Sequence, residues 1–301
     1  MSRATAASGA ADARRGTTAM RRASNAMGLA PFAIYVLAMF ALPTALVVSS
    51  AFRGASGEWT IANFAIFRRP GVAAAFVNSL WLSALTAAIG AILGALVCYA
   101  LLGCKESGAV RRLADAAAST LSQFGGVMLA FAFIATLGNQ GMVTLFLRDT
   151  MHLDIYEHGV WLYTPIGLVL PYVFFQMPLM IVTFYPAMAR LPRHLSEAVA
   201  MLGASAGCFW RHVGIPMLLP SFMSGFLLLF ANAFSAYATA AALISQGSQI
   251  APLQVRAALI SETGLGSQGA SGALAVGMLA IMTLVVCLYA VIDRKASSWL
   301  R

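Results

Sequence analysis

Six long stretches without a charged residue, at approximately 29–52, 74–102, 116–138, 164–189, 217–244 and 271–292, constrain this chain more than anything else in it. Each is long enough as a helix, at 1.5 Å per residue, to cross the roughly 30 Å of a bilayer's hydrocarbon core. The expectation is six transmembrane helices. Composition agrees, because 60% of the 301 residues are hydrophobic and 10% charged, where a soluble domain carries about 25% charged residues. Pro43, Pro171 and Pro178 fall inside the apolar stretches and predict kinks, which packed neighbours can tolerate in a membrane bundle.

The net charge of +9 lies between the apolar stretches and not on one face, so it points to lipid headgroups and orientation, not to nucleic acid. The N-terminal stretch, the second-to-third and fourth-to-fifth connections and the C-terminus together carry 14 Lys and Arg. The opposite connections carry five: Arg53, Arg68, Arg69, Arg148 and Arg256. By the positive-inside rule both termini face the cytoplasm. Residues 1–27, rich in Ala, Arg and Ser, read as a disordered basic tail, and residues 28–301 as one membrane domain.

Chemistry-bearing motifs are sparse. Cys98, Cys104, Cys208 and Cys287 form no CxxC pair and read as structural thiols. His152, His158, His194 and His212 all fall in connections, where neither metal nor catalysis is expected of them. No phosphate-binding G-x-x-x-x-G-K-[ST] loop occurs, so ATP is not expected on this chain. "GLGSQG" at 264–269 copies a dinucleotide fingerprint but follows no strand, and reads as a loop. Gly90 and Gly94 form one GxxxG, read as close helix packing. With no ionisable residue in the spans, an ion-coupled carrier is the weaker reading. Asn78, Gln123, Gln176, Asn232 and Tyr237, with Ser79 and Ser235, are candidates to line a translocation path, and each could equally be interhelical glue.

The most informative stretch connects the fourth and fifth spans, about residues 190–216. Leu195, Val199 and Leu202 recur at i, i+4 and i+7 and make an apolar stripe on a short helix outside the membrane. Gly203 ends it as a left-handed cap would. A second short helix is expected to reach His212 before Pro216 opens the fifth span, with Glu197 at the start of the first, where the helix dipole favours a carboxylate. Periodicity alone leaves docking to a partner or to lipid equally open.

This stretch resembles the cytoplasmic signature of permease subunits of binding-protein-dependent ABC importers, an EAA triplet, three residues, Gly, nine residues, then Ile-x-Leu-Pro. Glu197, Ala198, Gly203 and Pro216 stand in register, Val213 and Ile215 are conservative replacements, and Val199 stands where the family has alanine. The resemblance implies an all-α membrane protein of the type I, MetI-like permease fold with cytoplasmic coupling helices, in the bacterial inner membrane. It further implies an ATP-binding subunit dimer that carries ATP and Mg, a second permease subunit, identical or homologous, and an extracytoplasmic solute-binding protein. "EAVAMLGAS" and "ANAFSAYATAAALI" look most like permeases for spermidine or putrescine, followed by those for sulfate, molybdate, ferric iron, phosphonate and thiamine.

Overall fold

The computed structural model describes residues 31–54, 57–105, 108–157, 159–191, 193–201, 203–244, 249–260 and 268–298. The expected N-terminal tail and nearly all of "GLGSQG" lie outside these residues. The described chain is helical, without a strand; only Arg53 and Trp59 make an isolated antiparallel bridge.

Eleven helices carry the architecture described below. They are α1 (Pro31–Ala51), α2 (Pro70–Leu102), α3 (Ala109–Leu121), α4 (Gly126–Leu137), α5 (Met142–Met151) and α6 (Val169–Ala189). After them come α7 (Arg193–Met201), α8 (Ala206–Ser235), α9 (Ala238–Leu243), α10 (Ala251–Leu259) and α11 (Gln268–Ser298). Six segments are long and apolar enough to cross a membrane: Pro31–Ala51, Pro70–Leu102, Gly126–Met151, Pro165–Ala189, Ala206–Ser235 and Gly269–Val291.

The third of these differs from the expected 116–138. It joins α4 to α5 through a turn at 138–141 and carries Arg148 and Asp149 in its last turn, so it is not free of charge; the fifth, Ala206–Ser235, also takes in Arg211. Ring contacts show how this part of the chain rises through the bundle. Arg111 on α3 stacks on Tyr185 of α6, and Phe133 on α4 meets Phe174 of α6. The two pairs run in opposite order along their helices, so α3 and α4 climb antiparallel to α6, broken at 122–125.

Prolines are accommodated as a bilayer helix allows. Pro43 removes the N–H that would bind a carbonyl one turn back, and the five residues before Leu42, Leu37–Ala41, open into a wider π turn. Pro171 sits in the first turn of α6, where an absent N–H costs nothing, while Pro178 and Pro186 lie in its interior.

Apolar burial is divided among three clusters. Leu82, Leu129, Tyr172, Phe175, Ala233 and Leu243 anchor one; Cys98, Ala118, Met180, Phe184, Leu218 and Phe230 another; Ala51, Ile66, Phe76, Ala251, Ala258 and Leu274 the third. Their membership sorts the connections. Phe52, Phe64, Ile66, Phe67, Ala251 and Ala258 gather at one end of the bundle, and Cys104, Leu191 and Trp210 at the other. The described start of α1 and the end of α11 lie at the end that holds the 190–214 connection.

The seam between α2 and α6 is the most extensive helix pairing among the described residues, and Gly90 and Gly94 let the two helices approach closely. A Cβ on Gly90 would stand 2.8 Å from Cβ of Gln176, and one on Gly94 would stand 2.5 Å from Cβ of Met180 and 2.9 Å from the Met177 carbonyl. Both contacts are shorter than real Cβ atoms show, so the GxxxG is an intrachain packing device.

Candidate functional site

The stretch that carries the family resemblance forms a projecting corner. α7 runs from Arg193 to Met201 and ends at Gly203, whose φ of +74° is the left-handed conformation expected there. The Ala204 N–H donates to the Val199 carbonyl at 3.2 Å, closing the cap. Leu195 and Val199 are half-buried, Glu197 is exposed and Met201 is 84% exposed, so the chain covers the apolar stripe only in part. Leu202 and the side chain of Ala198 lie outside the described residues.

Two expectations about this corner need correction. Glu197 is the fifth residue of α7, not its first, because the helix already starts at Arg193; the dipole argument for its carboxylate therefore lapses. The second short helix is not separate either. Ser205 caps a turn at Ala206–Phe209 through a bond from the Cys208 N–H, and the chain continues through a π turn, Trp210–Gly214, straight into Ile215–Ser235. Pro216 lies in the first turn of that last stretch and does not begin a new helix. Trp210 holds the wide turn by packing on Gly214, where a Cβ would come within 2.6 Å of the ring, and edge-on to Tyr99 of α2 at 5.2 Å. Val213 is half-buried; Ile215 and Pro216 are exposed.

Beside this corner, α3 is clamped onto the end of α6. The Arg111 guanidinium lies 3.4 Å over the Tyr185 ring, its Nε donates to Asp115 Oδ2 at 2.8 Å, and the residue is only 9% exposed. α6 leaves the bundle four residues beyond Tyr185, at Ala189, and leads into α7. Sequence reading missed this clamp. Its signal was the i, i+4 spacing of Arg111 and Asp115 beside an apolar stripe.

The five path candidates separate. Gln176 is fully buried and its Nε2 donates to Thr86 Oγ1 at 2.8 Å across the α2–α6 seam. Asn78 donates to the Gln249 carbonyl at 3.1 Å and accepts from Trp81 Nε1 at 3.2 Å. Both act as glue between elements. Gln123, Asn232 and Tyr237 stand at helix breaks. Gln123 is exposed in the turn between α3 and α4. Asn232 is half-buried near the end of α8, and Tyr237, 40% exposed, occupies the break between α8 and α9.

The two breaks adjoin. Gly126, at φ +72°, lies against Ala238, whose Cβ is 3.6 Å from where its own Cβ would be. α9 then packs along α4. A backbone break inside a bilayer must have its freed polar groups satisfied. Here the Tyr172 hydroxyl donates to the Ala236 carbonyl at 2.9 Å, and the Ala236 N–H reaches Ala233 at 3.1 Å. Helices interrupted in this way are tolerated where they are buried in protein or line a cavity.

At the opposite end from α7, Asp154 accepts from the Tyr156 N–H at 2.8 Å and pairs with Arg148 at 3.1 Å; the backbone bond first, then the arginine, holds its carboxyl below the ordinary carboxylate value.

Six apolar segments long enough to cross a membrane, a glycine-sealed seam and a short amphipathic helix between the fourth and fifth of them make an all-α, multi-pass membrane architecture. The chain belongs to the family described as Binding-protein-dependent transport system inner membrane component, which residues 150–298 match. It is similar to the trehalose transport system permease protein SugB of Mycobacterium tuberculosis, 27% identical over 232 residues, 76% of either chain. It is also similar to the probable sulfate transport system permease protein cysT of Nephroselmis olivacea, 24% identical over 204 residues, 68% of this chain and 67% of that one. A shorter likeness, 38% over 66 residues, or 22% of this chain and 23% of the other, joins it to the spermidine/putrescine permease PotC homolog of Mycoplasma pneumoniae. Among solved structures, a chain of a bacterial ABC transporter that imports the polysaccharide alginate shares the fold, with a TM-score of 0.72 and 15% identity over 94% of this chain and 99% of that one. The chain is thus a permease subunit of an ABC importer, and a transporter component, not an enzyme.

Proposed function

We propose that this permease is driven by a separate ATP-binding subunit that seats α7 and the Ser205–Gly214 corner in a groove. The observation that carries this reading is the helix ended by Gly203 at φ +74°, with its apolar stripe only partly covered by its own chain. The 14-to-5 distribution of basic residues supports a cytoplasmic position for that corner and for both termini. A second permease subunit would face the two adjoining breaks, and Gln123, Asn232 and Tyr237 would line the path between the two. A solute-binding protein would deliver cargo at the opposite end.

The cargo is a small polar solute. The expectation of a polyamine is supported by the short likeness to one polyamine permease, and the longer likenesses are to trehalose and sulfate permeases. The residues at the breaks offer amides and a phenol but no carboxylate to neutralise a polycation. We therefore favour a neutral or anionic solute, with sulfate the anionic case.

The test is co-purification and uptake. Leu195→Asp with Val199→Asp places two charges in the stripe while leaving the six crossings intact. The double variant should insert at normal level, lose its ATP-binding subunit and stop ATP-driven uptake. Retention of that subunit with wild-type uptake would remove the docking assignment. Uptake of labelled trehalose, sulfate and spermidine by proteoliposomes of the whole assembly ranks the solutes, and a preference for spermidine would overturn the charge argument.

A further inference from the structure

The helix that leads to the corner is weakest beside its exit. α6 ends at Ala189, three residues beyond Pro186. Without an N–H, Pro186 leaves the Val182 carbonyl without its helical donor, and the ring crowds that carbonyl as well. Helices bend at such a point. On the bundle side α6 is held firmly: Met180, Ile181 and Phe184 are buried, and Phe184 meets Phe222 of α8 edge-on at 5.8 Å. Beyond the proline, Met188 alone is buried among residues 187–191, after which the chain enters α7.

The arginine clamp grips the residue just before this proline. Arg111 of α3 lies 3.4 Å over the Tyr185 ring, and Asp115, one turn along α3, accepts from its Nε at 2.8 Å. The guanidinium is spent on little else, since its Nη1 is buried without a hydrogen-bond partner among the described residues.

Stability alone does not call for such a group. An apolar side chain of similar length would fill the space without a desolvated cation and an unspent donor, and replacements of that kind are often neutral or stabilising. What an apolar chain does not supply is direction. A guanidinium is flat and stacks on the face of a ring, and the bond to Asp115 fixes its plane. The pair therefore defines an angle between α3 and the last turns of α6, at the one place near the exit where α6 lacks a backbone bond to define its own.

We propose that Arg111 is a positioning residue for α7: by stacking on Tyr185 it sets the bend of α6 at Pro186, and with it the direction in which α7 leaves the bundle. The proposal rests on the reading of α7 as the element that seats in the ATP-binding subunit. It adds α3 to the coupling machinery. Movement imposed on α7 then reaches α6 through the stacked pair and is not absorbed at the proline.

The test uses the full chain with its co-purifying partners in nanodiscs, its four native cysteines replaced by alanine and nitroxides attached at Leu113→Cys and Arg190→Cys, both exposed positions. Pulsed electron paramagnetic resonance reads the distance between α3 and the exit of α6. The distribution should be narrow with Arg111 in place. Arg111→Met should broaden it while membrane level, melting temperature and retention of the ATP-binding subunit hold. Tyr185→Phe, which keeps the ring, should behave as wild type, and Tyr185→Leu as Arg111→Met. Pro186→Ala gives the Val182 carbonyl its donor back, so adding it to Arg111→Met should restore the narrow distribution. Uptake per ATP hydrolysed, for whichever of labelled trehalose, sulfate and spermidine the wild type carries, should fall about fivefold in Arg111→Met, the equivalent of about 1 kcal/mol for one cation–π contact. KM for the solute should not change, and Pro186→Ala should recover the loss. An unchanged distribution in Arg111→Met would overturn the proposal, as would one that Pro186→Ala leaves broad, or a melting temperature that falls in step with uptake. The distances are read without transport, so a failure here is told apart from a failure of the docking assignment, which the Leu195 and Val199 double variant tests by itself.

Discussion

The α2–α6 seam and the α7 corner are both set by glycine, and they use it in opposite ways. At Gly90 and Gly94 the missing side chain lets two backbones meet, and a Cβ would collide with Gln176 or Met180. At Gly203 nothing lies within 4 Å of an added Cβ, and only the positive φ of +74° demands glycine. The first glycine use is a matter of space and supports the fold; the second is a matter of backbone angle and supports an encounter. Damage at the seam should therefore appear as lost protein, and damage at the corner as lost function in a protein that is still there.

The largest expected effect is at the seam. Gly94→Leu places a branched side chain where even a Cβ meets Met180 and the Met177 carbonyl, and overpacking of this kind costs about 1–3 kcal/mol or more. Its membrane level and its melting temperature in detergent should both fall sharply; a normal level would break the contrast between the two glycines. Gly203→Val comes next. Forcing a β-branched residue into a left-handed conformation costs about 1–2 kcal/mol locally, enough to misplace the turn without unfolding the crossings. Membrane level should hold while uptake and co-purification of the ATP-binding subunit fall, and Glu197→Ala, which changes an exposed side chain on the same helix, should do this more mildly.

Tyr172→Phe probes a site between these extremes. It removes the hydroxyl that satisfies the Ala236 carbonyl at the break and should cost about 1–3 kcal/mol, the penalty of an unpaired buried acceptor. Thermal unfolding of the purified chain measures it, and an unchanged melting temperature would mean that water serves the break instead. The smallest effect is at Asp154, whose carboxyl titrates below its ordinary value. Its folded-state value lies under the unfolded one, so its stabilisation is present above the unfolded value and is lost as pH falls through the folded one. Asp154→Asn should lower the melting temperature slightly at neutral pH and flatten its acid limb, so that variant and wild type converge at low pH.

Hydropathy made the six crossings legible because the bilayer imposes one simple demand, about 20 apolar residues per helix. It could not place the breaks. Nothing in "NAFSAYATA" is a helix breaker; the interruption at Ala236–Tyr237 is supported by the Tyr172 hydroxyl, 64 residues away, which donates to the freed Ala236 carbonyl. The break before α4 did carry a local signal, the consecutive Gly125 and Gly126, but a search for uncharged stretches runs through glycines without noticing them. Gly203 was readable because a left-handed cap is a local property of one residue. Glu197 was misplaced because the helix begins one turn earlier, at Arg193, ahead of the apolar stripe from which its start was read. Asn78 and Gln176 could not be told from Gln123 and Asn232 by type, because burial and partnership arise only when helices meet.

The π turn at Trp210–Gly214 holds one residue more than an ordinary turn would. One residue of helix is a rotation of about 100°, so the turn acts as a phase shift between the corner and the membrane part of α8. Loss of a single residue there would leave length, hydropathy and the signature residues almost untouched, yet would turn the outward face of the corner by more than a quarter revolution. Two sequences that align without difficulty across this region can thus present different faces to whatever they meet, and a gap of one position is the mark to look for.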